Sequence, residues 1–368
     1  MKIEDLGWDI FFRSNFEKIR QEGLVPARVS LEHKNIYQVM SEAGEYLAEV
    51  SGRYRHETES RADFPAVGDW VAITPRPNEG RATIHRLLPR KSGFSRKAVL
   101  SGGMPDTGGR TDEQVLAANI DTVFLVSGLD GDYNLRRMER YITVAWDSGA
   151  VPIIVLNKSD LCENLDEVVE EVEGVAIGVP VLALSAAVNT GMEQLAGHLT
   201  PGKTAAFLGS SGVGKSTIIN RLLGEEKMKT SAVSEYDQRG RHTTTHRELI
   251  LLPGGGIVID TPGMRELQLW TDDEGLSRTF PDVEALVEKC RFRDCTHGSE
   301  PGCAVKKALA DGTLDAGRYQ NYLKLQKELK HLYLRKDVKV QRETYRKFDR
   351  MVRRVLKERD ELKKKGLI

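Results

Sequence analysis

The sequence predicts a multidomain α/β protein, and three observations carry that expectation. Five short segments of alternating hydrophobicity lie between residues 27 and 90. From about residue 112 to 270, apolar strands alternate with helical stretches. A cysteine cluster and a long, basic, helical stretch follow. The expected divisions are an N-terminal helical extension (1–24), a small barrel (25–100), a helix-covered sheet domain (112–270) and a cysteine-containing helical domain (276–368).

In the extension, Trp8, Phe12, Phe16 and Ile19 recur at helical spacing, so a short helix should dock on a neighbour. The segments "ARVSL", "IYQVM", "YLAEV", "VGDWVAI" and "ATIHRLL" are separated by turn-forming residues. That pattern fits a small antiparallel barrel, of OB or another type. Ser101–Arg110, "SGGMPDTGGR", reads as a flexible connector or a loop that orders on binding. The strands "DTVFLV", "PIIVL", "VLALS", "TAAFLG", "ELILL" and "GIVID" come next, with a helix at "NLRRMERYITVAWDSG". Strands separated by helices predict a largely parallel sheet covered on both faces.

At 368 residues there is room for two or three domains, and 40% hydrophobic with 29% charged residues suits a soluble globular chain. No apolar run approaches the roughly 20 residues that span a bilayer. Glu4, Asp5 and Asp9 break up any apolar leader, so a cytoplasmic location is expected. The zero net charge conceals an asymmetry. Residues 318–365 hold 18 Lys/Arg against 7 Asp/Glu, a local +11, while the remainder carries −11. A basic tail on an acidic body suggests a polyanionic partner, with a solvated helical face as the bland alternative.

Gly209, Gly214, Lys215 and Ser216 satisfy G-x-x-x-x-G-K-[ST] between a strand and a helix. In such a loop (Gly209, Ser210, Ser211, Gly212, Val213, Gly214, Lys215, Ser216 and Thr217) successive amides point at phosphate oxygens, helped by the helix N-terminus. Lys215 should reach the β and γ phosphates and Ser216 should ligate Mg²⁺. In "VIDTPGM", Asp260 ends a strand where it can hold Mg²⁺ through water, and Gly263 frees an amide for the γ-phosphate. Between these motifs lies "RGRHTTTHRE", whose Thr244 could complete the Mg²⁺ shell in an order–disorder switch; a surface loop is the alternative.

"NKSD" offers Asn157, Lys158, Ser159 and Asp160 at a strand end. A carboxylate at Asp160 suits the paired N–H donors of guanine, which adenine lacks, and if buried would reject adenine strongly. Ser185 and Ala186 follow another strand, where a backbone amide could cap the guanine O6. The five parts of a GTPase are present, but the last two of the usual order come first. This is a circular permutation, tolerable because the termini of such domains lie close together.

Cys290, Cys295, His297 and Cys303 cluster within "CRFRDCTHGSEPGC". In a cytosolic protein this points to metal rather than disulfides. Three thiolates and one imidazole complete a tetrahedral Zn²⁺ shell, one structural ion per chain. Cys162 stands apart and is expected to be a buried thiol.

Taken together, the barrel, "NLRRMERY", "NKSD", "GSSGVGKST", "GRHTTTHRE", "DTPGMRE" and the cysteine cluster resemble the circularly permuted, small-ribosomal-subunit-dependent GTPase A (RsgA, also YjeQ or YloQ) family over nearly the whole chain. The resemblance implies an OB barrel, a permuted P-loop GTPase domain and a C-terminal zinc domain with these ligands. It implies an enzyme that binds the small subunit and its rRNA late in maturation and hydrolyses GTP to GDP in response, as a cytoplasmic monomer. Only some members carry an extension such as "LGWDIFF".

Ras-like enzymes orient water with a glutamine directly after D-x-x-G, whereas Met264 and Arg265 stand here. His242 is the candidate in its place, and the resemblance supports it, since an imidazole accepts a proton from water at neutral pH. Arg239 and Arg241 are weaker candidates for charge stabilisation. In the tail, Tyr322, Leu325, Leu329 and Leu332, then Tyr345, Phe348, Val352 and Val355, recur at helical spacing, leaving a basic face for RNA phosphates. Gly212 stands where some cation-dependent GTPases place Asn, which argues against a K⁺ requirement. Two other readings stay open: a switch acting on a protein or membrane partner without RNA, and an RNA-binding module with a vestigial nucleotide site.

Overall fold

The computed structural model describes residues 1–20, 23–33, 35–58, 60–99, 111–131, 133–226, 247–260, 273–330 and 332. Asp9 caps α1 (Ile10–Glu17) through Phe11 N and Phe12 N. Trp8, Phe12 and Phe16 are buried against Trp70 and Leu88, with Ile19 packed alongside. The expected docking helix is therefore in place, and its neighbour is the barrel.

That barrel closes from β1 (Val25–His33), β2 (Ile36–Ser41), β3 (Gly44–Val50), β4 (Trp70–Arg76) and β5 (Arg81–Leu87), with the helix α2 (Gly52–Glu57) between β3 and β4. Strand β1 pairs antiparallel with both β2 and β4, β3 pairs parallel with β5, and β5 returns to β4. This circuit is that of the expected OB-type barrel. Alternate residues such as Val29, Tyr37, Val39, Ala48, Ile73 and Ile84 fill its interior.

Strands β6 (Gly93–Val99) and β7 (Thr111–Ala118) form an antiparallel pair on either side of the segment read as a connector, most of which lies outside the described residues. The second sheet region contains β8 (Thr122–Gly128), α3 (Leu135–Asp147), β9 (Val151–Asn157), α4 (Leu165–Val175), β10 (Val181–Ala183), α5 (Met192–Gly197), β11 (Thr204–Leu208), α6 (Lys215–Leu223), β12 (Glu248–Leu251) and β13 (Ile257–Asp260). All six predicted strands are present, in the spatial order β10-β9-β8-β11-β13-β12. Neighbours are parallel except for β12 against β13. Strands buried on both faces explain the unbroken apolar runs. One face carries Met138, Ile142 and Val172 of α3 and α4 with the capping Ala176, the other Met192, Leu195, Ile218 and Ile219 of α5 and α6.

The chain enters this sheet at β8 and reaches the glycine-rich loop only after its fourth strand, β11. Strand β12 also touches β1, with Leu31 opposite Glu248, so the sheet runs on into the barrel. Beyond it, α7 (Asp273–Thr279), α8 (Pro281–Val287), α9 (Ala304–Ala310) and the helical residues 316–330 pack on the α3/α4 face. Tyr322, Leu325, Leu329 and Leu332 are buried there, as their spacing predicts; the second quartet from Tyr345 lies outside the described residues.

Candidate functional site

At the C-terminal ends of β8, β9, β10, β11 and β13 the separated motifs meet. The phosphate loop leaves β11 at Gly209, where a Cβ would lie 2.2 Å from Val126 O. Gly212 and Gly214 adopt φ values of 79° and 97°, which side-chain-bearing residues rarely reach. Gly214 caps α6, and Lys215 Nζ donates to Gly209 O at 2.8 Å and Ser210 O at 2.5 Å, so the ammonium lies within the curl of the loop. Ser216 and Thr217 open α6 with half-buried side chains, whereas Ser211 and Gly212 are exposed.

Asn157 ties three segments together. Its Nδ2 donates to Val213 O of the phosphate loop at 2.7 Å, and its Oδ1 accepts from Ala186 N at 3.1 Å. All three residues are at most 2% exposed. A Cβ on Gly214 would sit 2.2 Å from the same Nδ2, so the glycine permits this approach. Ser159 N donates to Leu184 O at 3.2 Å, and Arg221 of α6 reaches Ala186 O at 3.0 Å and Ala187 O at 2.9 Å. Ser185 and Thr190 exchange a pair of backbone bonds that hold the Ser-Ala turn. The tetrad, the Ser-Ala turn and the phosphate loop, far apart in the chain, thus form one cradle.

Asp160 lies exposed on the turn Ser159–Leu161. The turn projects beyond the strand ends, and Lys158, with φ 64°, starts it. Asp260 ends β13, half-buried and one strand from the phosphate loop. Cys162 is half-exposed beside Asn164, not buried, because it follows the same projecting turn. Gly263, Thr244, His242, Arg239 and Arg241 lie outside the described residues. Sequence reasoning missed Asp130, whose carboxylate pairs with Lys158 Nζ, since nothing local links residues so far apart.

A second centre stands at the C-terminal side. One ligand atom from each of Cys290, Cys295, His297 and Cys303 falls within 4.8 Å of the others. Cys290 Sγ lies 3.9 Å from Cys303 Sγ, and His297 Nδ1 lies 3.6 and 3.5 Å from those sulfurs. A tetrahedral Zn²⁺ with bonds of about 2.3 Å to sulfur and 2.0 Å to nitrogen demands edges of about 3.8 and 3.5 Å. The donor set fits that ion. Burial opposes ionisation of Cys290, yet the backbone near Val305 and Ala304 and the adjacent thiols hold it below the ordinary thiol range. Desolvation and the same crowding push Cys295 up to about 11. Glu300 accepts from Thr296 N, Thr296 Oγ1 and Gly298 N, bracing the loop that carries His297.

A charged network joins this region to the sheet domain. Arg318, 4% exposed, bonds Asp282, Glu139 Oε1, Thr279 O and Val175 O, while Glu139 also accepts from Arg136 and Asn321. At the barrel end, buried Arg28 donates to Gly68 O at 3.1 Å, Leu6 O at 2.5 Å and Asn119 O at 3.2 Å. Burial pushes its guanidinium down to about 10.

Comparison with known proteins places these features. A family profile described as RsgA GTPase matches residues 87–270. The chain is 52% identical over 337 residues to the small ribosomal subunit biogenesis GTPase RsgA of Opitutus terrae, covering 89% of this chain and 90% of that one. It is 47% identical over 343 residues to the protein of the same name from Syntrophotalea carbinolica, covering 93% of each. Among solved structures, YjeQ from Thermotoga maritima superposes with a TM-score of 0.61 at 28% identity, over 83% of this chain and 98% of that chain. YloQ, described as a circularly permuted GTPase, gives 0.59 at 23% identity over 85% and 98%, a likeness of fold.

Proposed function

The chain belongs to the RsgA GTPase family, and we propose that it binds the small ribosomal subunit and its rRNA late in maturation, hydrolysing GTP to GDP and phosphate when the subunit stimulates it. The observation that carries this reading is the Asn157 staple, which joins a guanine-type tetrad to a phosphate loop 56 residues away. A vestigial site would have no reason to keep that geometry.

In this reading Asp160 meets the guanine N–H pair, and the Ala186 side of the Ser-Ala turn lies against the base. Lys215 leaves its loop carbonyls for the β and γ phosphates, and the amides of the loop complete the cradle. Ser216 and Thr244 hold Mg²⁺, and Asp260 supports it through water. When bound, Mg²⁺ neutralises charge on the phosphates. Gly263 presents its amide to the γ-phosphate, and His242 orients the attacking water. The four zinc ligands clamp the loop that begins the C-terminal domain, a structural task because no coordination position is left for water. The barrel and the basic C-terminal stretch supply two surfaces for RNA phosphates. The domain limits read from sequence fit this division of labour, in a cytoplasmic monomer. Among the described residues, no helix is long and apolar enough to cross a membrane.

The test is GTP turnover with and without purified small subunits. Strong stimulation is expected, with His242→Ala losing the stimulated rate while binding GTP normally. Basal turnover unaffected by subunits would refute the assignment of partner, and absence of turnover would refute the enzyme. Equal loss of nucleotide affinity in His242→Ala would remove it from the catalytic role.

A further inference from the structure

Lys158 is the member of the tetrad with most freedom, since its four-carbon stem can sample many rotamers. Here it does not roam. Its ammonium pairs with Asp130, on the loop that leaves β8, with side-chain exposures of 20% for Lys158 and 29% for Asp130. That loop is itself fixed to the tetrad strand. Gly128 is the register partner of Asn157, and Leu129 N donates to Asn157 O at 2.9 Å. The carboxylate folds back over Gly128, where a Cβ would lie 2.6 Å from Asp130 Oδ1 and 3.6 Å from Val213 Cα. Asp130 therefore stands between the tetrad and the phosphate loop, on a backbone tied to the tetrad strand and close against Val213.

From this placement we propose that Asp130 is a positioning residue for guanine-nucleotide binding. Its carboxylate fixes the Lys158 side chain across the ends of β8 and β9, so the stem is already in place as a wall for the base. The proposal deepens the GTP-pocket reading and rests on it. It differs from the role of Asp160, which reads hydrogen-bond donors on the base. Asp130 acts through Lys158 on the base as an apolar plane, and should be indifferent to which donors the base carries. A half-buried ion pair on an anchored loop is suited to this, because it removes rotamer freedom before the ligand arrives.

The experiment uses the full chain and titrates GDP, GTP and IDP, which lacks the guanine amino group, against wild type, Asp130→Asn, Lys158→Met and the double variant. Asp130→Asn should weaken all three nucleotides by the same factor, about five- to tenfold, and the double variant should bind no worse than Lys158→Met alone. Asp130→Glu should recover most of the loss. Unchanged affinity in Asp130→Asn would overturn the proposal, as would losses that multiply in the double variant or a selective loss of GDP over IDP. Failure of the wild type to bind any guanine nucleotide would instead refute the pocket itself.

Discussion

Replacing Asn157 with alanine removes the link between the two halves of the nucleotide site. Two buried backbone groups lose their partner, Val213 O and Ala186 N, in residues that are each 1% exposed. An orphaned buried group costs about 1–3 kcal/mol. Water can enter from the exposed Ser211 and Gly212 side, so the lower half of that range applies, about 3 kcal/mol for the pair. Expressed wholly in binding, this is about a hundredfold loss of GDP and GTP affinity, at about 1.4 kcal/mol per tenfold. Expressed partly in the unliganded fold, it lowers the melting temperature by several degrees. The assay is fluorescent-GDP titration with a thermal melt of the same sample. Asn157→Asp should be no better, since its second carboxylate oxygen would face the Val213 carbonyl. Affinity within threefold of wild type, together with an unchanged melt, would refute the staple.

Gly209→Ala should abolish nucleotide binding while leaving the barrel folded, because its Cβ would meet Val126 O at 2.2 Å; retention of GDP affinity within tenfold would contradict this. Zinc analysis should find one ion per chain, and Cys295→Ser or a strong chelator should lower the melting temperature without displacing GDP from the pocket. Hydrogen bonds from Thr296 and Gly298 hold the Glu300 carboxyl at about 2, well below its ordinary 4.5. A depressed carboxylate pKa contributes stability that is complete above the unfolded value and is lost as pH falls through the folded one. Thermal melts of the metal-free protein at a series of acid pH values should therefore lose this contribution between about 4.5 and 2. Glu300→Gln should lack that limb; a profile identical to wild type would contradict the bracing role. Arg318→Met should destabilise by about 3 kcal/mol, since Glu139 and Asp282 would lose a shared buried cation, and denaturant unfolding measures this.

The nucleotide motifs were legible because each is a local sequence with local physics. Glycines at 209, 212 and 214 announce a backbone conformation, and "NKSD" ends an apolar strand. The cysteine spacing was legible for the same reason. The β6–β7 pair was not, since its strands mix charged and apolar residues and are parted by a glycine-rich segment that reads as a linker. Arg28 and Arg318 were not either. An arginine in a strand or helix reads as solvent-facing, and burial here depends on carbonyls and carboxylates supplied from 22 to 179 residues away. Exposure of Asp160 was hidden because the projecting turn is a tertiary feature.

Permutation requires that the new junction hold its strands as well as an uncut chain would. The splice runs from α5 through Leu199–Lys203 into β11, and several contacts pin it. Gly202 N donates to Gly255 O at 3.0 Å, and Lys203 N to Thr200 O at 3.0 Å. Asp121, just before β8, accepts from Thr204 N at 2.9 Å and pairs with Lys203 at 3.1 Å. The first strand of the permuted order is thereby tied to the strand that feeds the phosphate loop. Gly7 and Gly202 pack so closely that a Cβ on Gly7 would lie 2.7 Å from Gly202 O, while one on Gly202 would lie 2.9 Å from Glu4 O. The N-terminal extension thus covers the junction, and through Leu6 O it also caps Arg28, which binds barrel and sheet domain. At the other side of the sheet, α7 packs on α3, with Thr279 Oγ1 3.1 Å from Thr143 Oγ1. The chain that follows the Asp260 strand is therefore anchored on the first helix of the permuted domain. The Thr143–Thr279 contact thereby joins the helices that lead to the cysteine cluster to the first helix of the permuted domain.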